Sequence, residues 1–173
     1  MTMPVNIAVY FALVVFLLFA FISFWPVFTG ANWEPTPMKK VKRMLDMARV
    51  TKRDYVYDLG FGDGRILFAA LGRAAKAGGS EIEPIKWLAV KIYATIKKTK
   101  LDLRLGSAYS ADLRKATVVA MFMTPLVNKI IAEKLSKLKK GTRIVSYHWP
   151  FPQWKPVRVD TQARIYVYET GKL

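Results

Sequence analysis

The sequence predicts an α/β domain with a mostly parallel β-sheet, preceded by one membrane-spanning helix. Three observations lead to this fold class. Short apolar runs alternate with amphipathic helical segments, a glycine-rich turn joins the first run to a helix, and a long uncharged apolar stretch begins the chain. Strands that alternate with helices form βαβ units, and such units build a parallel sheet. At 173 residues the chain has room for one domain of this kind.

The N-terminal stretch predicts a single membrane anchor. Residues 1–33 carry no charged side chain, and the run from Ile7 to Phe28 would form a helix about 33 Å long, enough to cross a bilayer core. A cleaved signal peptide, the competing interpretation, would need basic residues before the run and small residues at a cleavage site, and neither is present. Four basic side chains lie between residues 39 and 43, so the positive-inside rule predicts an N-terminus outside and a cytoplasmic domain.

The domain boundaries follow from this composition. We assign the anchor to residues 1–29, a linker to residues 30–36 and the folded domain to residues 37–173. Thr36 has the side chain of a helix cap and Pro37 suits a first helical turn, so a helix is predicted from about residue 37 to residue 50.

Seven strands are predicted after that helix. In chain order they cover residues 54–59, 77–81, 101–105, 117–123, 142–147, 157–159 and 165–168, with helices over 64–76, 84–98 and 126–138. The run over residues 117–123 is almost continuously apolar, as expected for a strand that is buried on both faces. The last two strands are predicted to form a C-terminal hairpin.

The turn after the first strand predicts a cofactor site. Asp58-Leu59-Gly60-Phe61-Gly62-Asp63-Gly64-Arg65 follows an apolar run. Glycines at alternate positions permit positive φ and leave room for a ligand against the backbone, and the following helix offers free N–H groups. A dinucleotide fingerprint would place its third glycine where Arg65 stands, and the Gly-Lys-Ser/Thr of an NTPase P-loop is absent. The turn therefore disfavours NAD and nucleoside triphosphates.

A carboxylate at the expected distance indicates a nucleoside ligand. Glu81 ends the predicted second strand, roughly twenty residues after the glycine turn, where an acidic residue can accept hydrogen bonds from both ribose hydroxyls. Glu83 lies further into the loop, directly before Pro84, so Glu81 is preferred. The alternative to a ligand site is that residues 60–64 form an ordinary tight turn and Glu81 is a solvated loop acid. In that case the strand, the glycine turn, the helix and the acid would have this order and spacing only by chance.

The charge balance indicates an anionic partner. The chain has 28 basic and 12 acidic residues, a net charge of +16, and all of this excess follows residue 33. So basic a domain attracts nucleic acid, anionic lipid headgroups or acidic protein surfaces. The absence of cysteine excludes disulfides and thiol catalysis, and with His148 as the single histidine no metal site is predicted.

With these residues in place, the chain resembles the class I (seven-strand) methyltransferases, Rossmann-like enzymes that use S-adenosyl-L-methionine (SAM). More narrowly, it is similar to the small protein-lysine methyltransferases of archaea and, as membrane-anchored versions, of mitochondria. The segments that carry the resemblance lie within residues 35–150. They are Pro35-Thr36-Pro37, Met44-Leu45-Asp46-Met47-Ala48, residues 54–65, Ala69-Ala70, Gly79-Ser80-Glu81-Ile82-Glu83-Pro84 and Gly141-Thr142-Arg143-Ile144-Val145-Ser146.

The resemblance implies a SAM site at the carboxyl ends of the strands. The glycine turn would line the methionine moiety, with Asp58 near its ammonium group and Glu81 on the ribose. Ser107 and Ala108 would lie beside the adenine, and Met123 would face the transferred methyl group. The cofactor-binding residues implied are Thr36, Asp58, Gly60, Gly62, Asp63, Gly64, Glu81, Ile82, Ser107, Ala108 and Met123.

Methyl transfer from a sulfonium is an in-line displacement that depends on position and a desolvated site. Desolvation also favours the neutral amine of a lysine substrate, so an oxygen that aims its lone pair would suffice. The catalytic candidates are therefore Thr124, Tyr109, Ser146, Tyr147 and His148. Thr124 is preferred because it follows the fourth strand, whereas Tyr109 and His148 also fit as packed or rim residues.

Four aromatic residues near the end of the fifth strand have two interpretations. They would form an apolar channel for a lysine side chain, or they would cap the sheet near the bilayer. The residues are Tyr147, Trp149, Phe151 and Trp154.

The predicted function is a membrane-anchored, SAM-dependent methyltransferase that acts on protein lysines, with anionic lipid headgroups as a second partner. Alternatives are a methyltransferase of nucleic acid, lipid headgroups or small molecules, and a non-catalytic SAM-binding membrane protein. Thr124-Pro125 stands where amide and nucleobase methyltransferases have Asn/Asp-Pro-Pro-Tyr. The basic residues are also spread along the chain, and both observations disfavour nucleic acid.

Overall fold

The computed structural model describes residues 7–29, 34–74 and 76–173. Two compact units are present, residues 1–34 and Pro35–Leu173. The first unit contains helix α1, Ile7–Thr29, which has 23 residues. The predicted anchor and linker fall partly outside the described residues, at residues 1–6 and 30–33 and at the side chains of residues 19 and 21–29. Among the residues that are described, no helix qualifies as a membrane span.

The second unit is an α/β fold built on one sheet of seven strands. Its elements in chain order are α2 Met38–Met47, β1 Tyr55–Leu59, α3 Arg65–Leu71, β2 Lys76–Glu81, α4 Pro84–Ile96, β3 Asp102–Leu105, β4 Val118–Met121, α5 Pro125–Ser136, β5 Arg143–Tyr147, β6 Arg158–Asp160 and β7 Ile165–Glu169. A 3₁₀ turn, Ala108–Ser110, follows β3. The strand order is β3-β2-β1-β4-β5-β7-β6.

The pairing pattern confirms the predicted sheet. Strands β1 to β5 pair in parallel, while β7 runs antiparallel to both β5 and β6. Parallel strands bring their carboxyl ends to one edge, so the segments after β1, β2, β3, β4 and β5 meet there. The mostly parallel α/β sheet with a closing C-terminal hairpin is thus present as predicted.

Helices cover both faces of the sheet, which explains why its central strands are apolar throughout. On one face, Val56 of β1 and Val118 of β4 pack with Leu45 of α2. On the other face, Val119 of β4 packs with Ile131 of α5. Successive strand residues point to opposite faces, so a strand that is covered twice needs apolar side chains at almost every position.

Two predicted features of the helices are wrong. Thr36 does not cap α2, because the N-cap is Pro37 and no side chain makes a capping hydrogen bond there. Thr36 is buried instead. The helix predicted over residues 64–76 ends at Leu71, since Gly72 follows and the chain turns directly into β2. Glycine is a poor helix former and commonly marks such an end.

An ion-pair network joins the amino-terminal ends of β1, β4 and β5, at the edge opposite the cofactor loops. Arg143 pairs with Asp54 and also donates to the carbonyl of Ala48 at 2.7 Å. Thr117 Oγ1 donates to Asp54 Oδ1 at 2.7 Å, and Thr51 N donates to Oδ2 at 2.8 Å. Burial raises the pKa of Asp54, but these hydrogen bonds and the Arg143 charge outweigh it and leave the pKa below its usual range.

Candidate active site

Glu81 links the loops that follow the first three strands. Its carboxylate Oε2 accepts a hydrogen bond from Gly62 N at 2.8 Å, and its Oε1 accepts one from Glu83 N at 3.0 Å. Its backbone carbonyl accepts a third from Gly106 N at 2.9 Å. The side chain is buried, yet each carboxylate oxygen keeps a further lone pair for a ligand. The residue predicted to bind ribose therefore also orders the surrounding backbone.

The glycine turn adopts the backbone conformation that its sequence predicts. Gly60, Gly62 and Gly64 all have positive φ, at 71°, 56° and 78°. Gly60 N donates to the Ser80 carbonyl at 2.8 Å, which fixes the turn against the end of β2. A Cβ on Gly60 would lie 2.8 Å from Met123 Cε. Met123, at the end of β4, is thereby brought directly over the turn.

Asp58 is a buried acid at the same edge. It lies in β1 opposite Gly79 of β2 and Ala120 of β4, with 2% of its surface exposed. No hydrogen bond to its carboxylate is present among the described residues. Burial, and then the nearby carboxylates of Glu81 and Asp63, hold its pKa well above the usual range. A buried acid without a partner is suited to receive a cationic ligand group.

Asp63 and Thr36 are tied to the glycine turn through Arg65. The guanidinium donates to both carboxylate oxygens of Asp63, with Nε 2.9 and 3.0 Å away, and Nη1 donates to the Thr36 carbonyl at 2.9 Å. The hydrogen bonds from Arg65 hold the pKa of Asp63 below its usual range. Arg65 stands where a dinucleotide-binding motif would have its third glycine. In this structure its guanidinium joins the segment before α2 to the glycine turn.

The remaining predicted cofactor residues lie on the neighbouring loops. Ile82 follows Glu81 and is 38% exposed. Ser107 follows β3 and caps the 3₁₀ turn, where its Oγ accepts a hydrogen bond from Tyr109 N at 3.2 Å. Ala108 is half-buried beside the core beneath α5. All of them lie at the edge that holds Glu81.

Two catalytic candidates have different surroundings. Thr124 is the N-cap of α5, and its Oγ1 accepts a hydrogen bond from Val127 N at 3.4 Å. The residue is exposed, and the hydroxyl keeps a second lone pair and its own proton. Tyr109 lies in the 3₁₀ turn and is 47% exposed. Its backbone carbonyl accepts a hydrogen bond from Lys134 Nζ at 2.6 Å, which holds the turn against α5.

His148 is placed as a packed rim residue. Its Nε2 lies 2.9 Å from Arg164 Nη1, and because a guanidinium only donates, Nε2 must accept. The ring stacks on Phe122, with centroids 5.9 Å apart, and contacts Trp149 at 4.6 Å. The Nε2 lone pair that a base would use is therefore engaged by Arg164.

The predicted aromatic cluster separates into two groups. Phe151 and Trp154 stack at 4.3 Å and pack with Tyr168, and Phe151 is almost completely buried, so these belong to the core. Tyr147 instead lies with Phe122, their centroids 4.8 Å apart. An aromatic wall made of Phe122, Tyr147, His148 and Trp149 stands at the ends of β4 and β5.

Asn128, which the sequence analysis missed, supports this aromatic wall. It is fully buried on α5, and its Nδ2 donates to the Trp149 carbonyl at 3.0 Å. Ser146 Oγ donates to the same carbonyl at 2.6 Å. The sequence did contain a signal for this role, an asparagine within the apolar face of a predicted helix. A buried amide needs hydrogen-bond partners, so its position predicts a contact with a neighbouring segment.

Comparison with known proteins supplies the family. The model of the ANTKMT methyltransferase domain matches residues 58–158, which run from Asp58 through the site to β6. The chain belongs to this methyltransferase family. A protein-lysine N-methyltransferase from Saccharolobus islandicus is 38% identical over 149 residues, which cover 80% of this chain and 92% of that protein. The adenine nucleotide translocase lysine N-methyltransferase of Mus musculus is 31% identical, and the match covers 76% of this chain and 59% of the relative.

A solved structure agrees with this family. An RNA methyltransferase from Salinibacter ruber, with S-adenosyl-L-homocysteine bound, is 34% identical and superimposes with a TM-score of 0.74 over 79% of this chain and 93% of that one. The cofactor of this methyltransferase domain is SAM. The residues present fit it, since the unpartnered Asp58 suits its ammonium group and the open lone pairs of Glu81 suit ribose hydroxyls.

Proposed function

We propose that this chain is a membrane-anchored enzyme that transfers methyl groups from SAM to lysine side chains of proteins. The observation that carries the lysine assignment is the 38% identity with a protein-lysine N-methyltransferase, of which the chain covers 92%. The aromatic wall supports it as well. Aromatic rings at the ends of β4 and β5 provide an apolar surface along which a lysine stem can lie.

The chain's own residues would bind and orient both reactants. SAM supplies a methyl group on a positively charged sulfur. Glu81 would hold the ribose, the glycine turn would line the methionine moiety and Asp58 would pair with its ammonium group. Met123, seated over Gly60, closes the turn from the side of β4 and keeps water away from it.

Thr124 would position the lysine amine. A free lysine has a pKa near 10.4, and an apolar site lowers it because desolvation penalises the charged form. The neutral amine then donates a hydrogen bond to Thr124 Oγ1, whose second lone pair is not used by the helix cap. This bond orients the nitrogen lone pair toward the methyl group. Because the amine is already neutral when it reacts, Thr124 does not have to accept a proton from it, and a strong base is not needed.

A specific observation favours a second candidate function, methylation of RNA. The Salinibacter ruber RNA methyltransferase is 34% identical to this chain over the matched residues, close to the 38% of the Saccharolobus islandicus lysine enzyme. A net charge of +16 also suits a nucleic acid ligand. We rank it second because Thr124-Pro125 replaces the Asn/Asp-Pro-Pro-Tyr motif of nucleobase enzymes.

Digestion of the labelled product tests whether the substrate is protein or RNA. Purified chain and SAM with a labelled methyl group would be incubated with a cell extract, and samples then treated with protease or ribonuclease before the label is counted. Label that protease releases and ribonuclease does not supports a protein substrate. Label released only by ribonuclease would replace the proposal with RNA methylation.

The anchor is a proposal from the sequence and from the length of α1, made although no helix among the described residues qualifies as a membrane span. Helix α1 has 23 residues, none charged, so at about 1.5 Å per residue it measures roughly 34 Å. The side chains described from residue 7 to residue 18 are exposed. Basic residues follow it, so the positive-inside rule places the N-terminus outside and the catalytic unit in the cytoplasm.

Flotation with vesicles tests the anchor. The full chain should float with phosphatidylcholine vesicles and remain bound in alkaline carbonate, which strips peripheral proteins. A variant without residues 1–33 should stay in the aqueous fraction after the same treatment. Full-length chain that carbonate releases would contradict a transmembrane α1.

A further inference from the structure

Helix α4 exposes an apolar stripe on the side that points away from the sheet. The outer stripe consists of Ile85, Leu88, Ile92 and Ile96. Their exposed fractions run from 49 to 70%. They recur every three or four residues and so share one side of the helix, while Val90 on the opposite side is buried. A surface helix normally carries polar residues on that outer side, so α4 is apolar on both.

Lysines lie beside the outer stripe, and no acid accompanies them. The sequence from residue 84 to residue 101 contains no aspartate or glutamate. At 3.6 residues per turn, Lys91 lies about 100° from the centre of the stripe on one side. Lys97 follows the last residue of the helix and lies about 135° away on the other side, closer to the direction of Val90. Their Nζ atoms lie over the rings of Trp87 and Tyr93, at 4.7 and 5.6 Å, which holds both ammonium groups against the helix. Lys98 and Lys100 add exposed positive charge just beyond its end.

We propose that the outer stripe of α4 docks onto the surface of an anionic bilayer. Its isoleucine and leucine side chains enter the boundary between headgroups and acyl chains, and the flanking lysines contact lipid phosphates. An apolar helix side with lysines beside it and just beyond its end matches the apolar layer and the charged layer of that boundary. The inference rests on the membrane location proposed above and extends it from α1 to the catalytic unit.

A second copy of the chain fits this surface less well. A twofold-symmetric interface brings identical patches together, so Lys91 and Lys97 of one copy would face the lysines of the other. No acid within α4 compensates that repulsion. A bilayer with anionic headgroups offers an apolar layer and negative charge at once, so charge complementarity selects the lipid surface.

Docking of α4 would bring the catalytic edge close to the bilayer. The helix begins directly at the cofactor loop, where its N-cap residue Glu83 donates its N–H to the Glu81 carboxylate at 3.0 Å. Ile82 and Ile85, the exposed apolar residues nearest this end, lie beside the same loop. The substrate lysines selected by this arrangement are those that membrane proteins present at the level of the headgroups.

Site-specific labelling tests the inference in the full chain. The sequence has no cysteine, so Ile92→Cys introduces a single attachment site for an environment-sensitive fluorophore on the outer stripe. Glu133→Cys on α5, whose native side chain is 80% exposed, is the matched control. Each labelled chain would be reconstituted in vesicles of phosphatidylcholine and phosphatidylglycerol that contain a spin-labelled quencher lipid. SAM binding verifies that both variants are folded.

The inference predicts blue-shifted, strongly quenched emission from residue 92 and unquenched emission from residue 133. Lys91→Glu should reduce the quenching at residue 92 in these vesicles and leave it unchanged in pure phosphatidylcholine. A chain that floats with the vesicles but shows no quenching at residue 92 would overturn docking of α4 and leave the α1 anchor intact. A chain that does not float overturns both, and a blue shift that depends on protein concentration in detergent would assign the stripe to self-association.

Discussion

The carboxylate of Glu81 accepts a hydrogen bond of 2.8 Å from the backbone N–H of Gly62. One side chain at the end of β2 thus orders the cofactor turn at the end of β1. The second carboxylate oxygen accepts from Glu83 N in its own loop. Removing this carboxylate therefore affects both the ribose contact and the shape of the turn.

Glu81→Gln should weaken SAM binding by about tenfold to a hundredfold. An amide has only one oxygen, so one of the two backbone N–H groups loses its acceptor whether or not SAM is bound. The ribose loses a charged partner worth roughly 1–3 kcal/mol, and this loss weakens binding. Calorimetric titration of SAM measures the change. Glu83→Gln is the matched control, because the Glu83 side chain pairs with Lys86 while only its backbone contacts Glu81. Equal effects of the two substitutions would remove Glu81 from the cofactor site.

Asp58→Asn should stabilise the chain without ligand and weaken its binding of SAM. The pKa of Asp58 is raised, so its charged form destabilises the fold above the unfolded-state pKa. That destabilisation shrinks as pH falls below the folded-state pKa and is gone only below the unfolded-state pKa, whereas the amide removes it at every pH. Thermal melts without and with SAM measure both effects.

The same acid predicts a pH dependence of cofactor binding. The carboxylate form pairs with the ammonium group of SAM, so affinity in the parent chain should fall as pH is lowered through the raised pKa of Asp58. Asp58→Asn should flatten this part of the profile. A profile that is unchanged by the substitution would contradict the role given to Asp58.

Gly60→Ala should abolish tight SAM binding at a small cost in stability. With φ at 71°, any side chain is strained by roughly 1–2 kcal/mol. The added Cβ would meet Met123 Cε, which is the flexible end of its side chain and can move aside. Gly141→Ala is the control, since φ is 87° there and nothing lies within 4 Å of the Cβ. Similar melting temperatures with different SAM affinities are expected, and equal affinities would contradict the account.

Asp54→Ala should destabilise the fold by about 3 kcal/mol, because it leaves the partly buried Arg143 without its carboxylate. The pKa of Asp54 is depressed, so its contribution is present above the unfolded-state value near 3.8 and is lost as pH falls through the lower folded-state value. Denaturant melts at several pH values measure it. Asp112→Ala breaks an exposed pair with Arg114 and should leave the melt unchanged.

Thr124→Ala should lower kcat at least about tenfold while the SAM affinity stays constant, because the hydroxyl positions the amine and not the cofactor. Thr124→Ser keeps both the oxygen and the helix cap, and should retain activity. Steady-state kinetics on a lysine substrate measure both variants. An Ala variant as active as the Ser variant would reduce Thr124 to a helix cap.

The sequence predicted the sheet and the cofactor edge because both depend on local signals. Apolar runs, amphipathic helices and the glycine turn are short-range patterns, and parallel strands bring Gly60 and Glu81 together without further information. Long-range pairing was less accessible. His148 meets Arg164 only because β5 and β7 pair antiparallel, and Phe151 is buried because Tyr168 lies across from it.

Helix α4 shows the same limit. Its sequence predicted an apolar helix, but periodicity cannot say which side faces the sheet when both sides are apolar. The prediction that Thr36 caps α2 was wrong for a related reason. Thr36 is buried by tertiary packing, and its carbonyl accepts a hydrogen bond from Arg65, a residue distant in sequence.

The most direct test of the account is the chemical identity of the methylated group. Protein that has received labelled methyl groups from SAM would be digested and analysed by mass spectrometry, with the parent chain and with Glu81→Ala. We expect methyl groups on lysine Nζ atoms with the parent chain and far fewer with the variant at the same low SAM concentration. Methylation of another residue type or of RNA alone would contradict the lysine assignment, and lysine methylation that Glu81→Ala leaves unchanged would contradict the cofactor site.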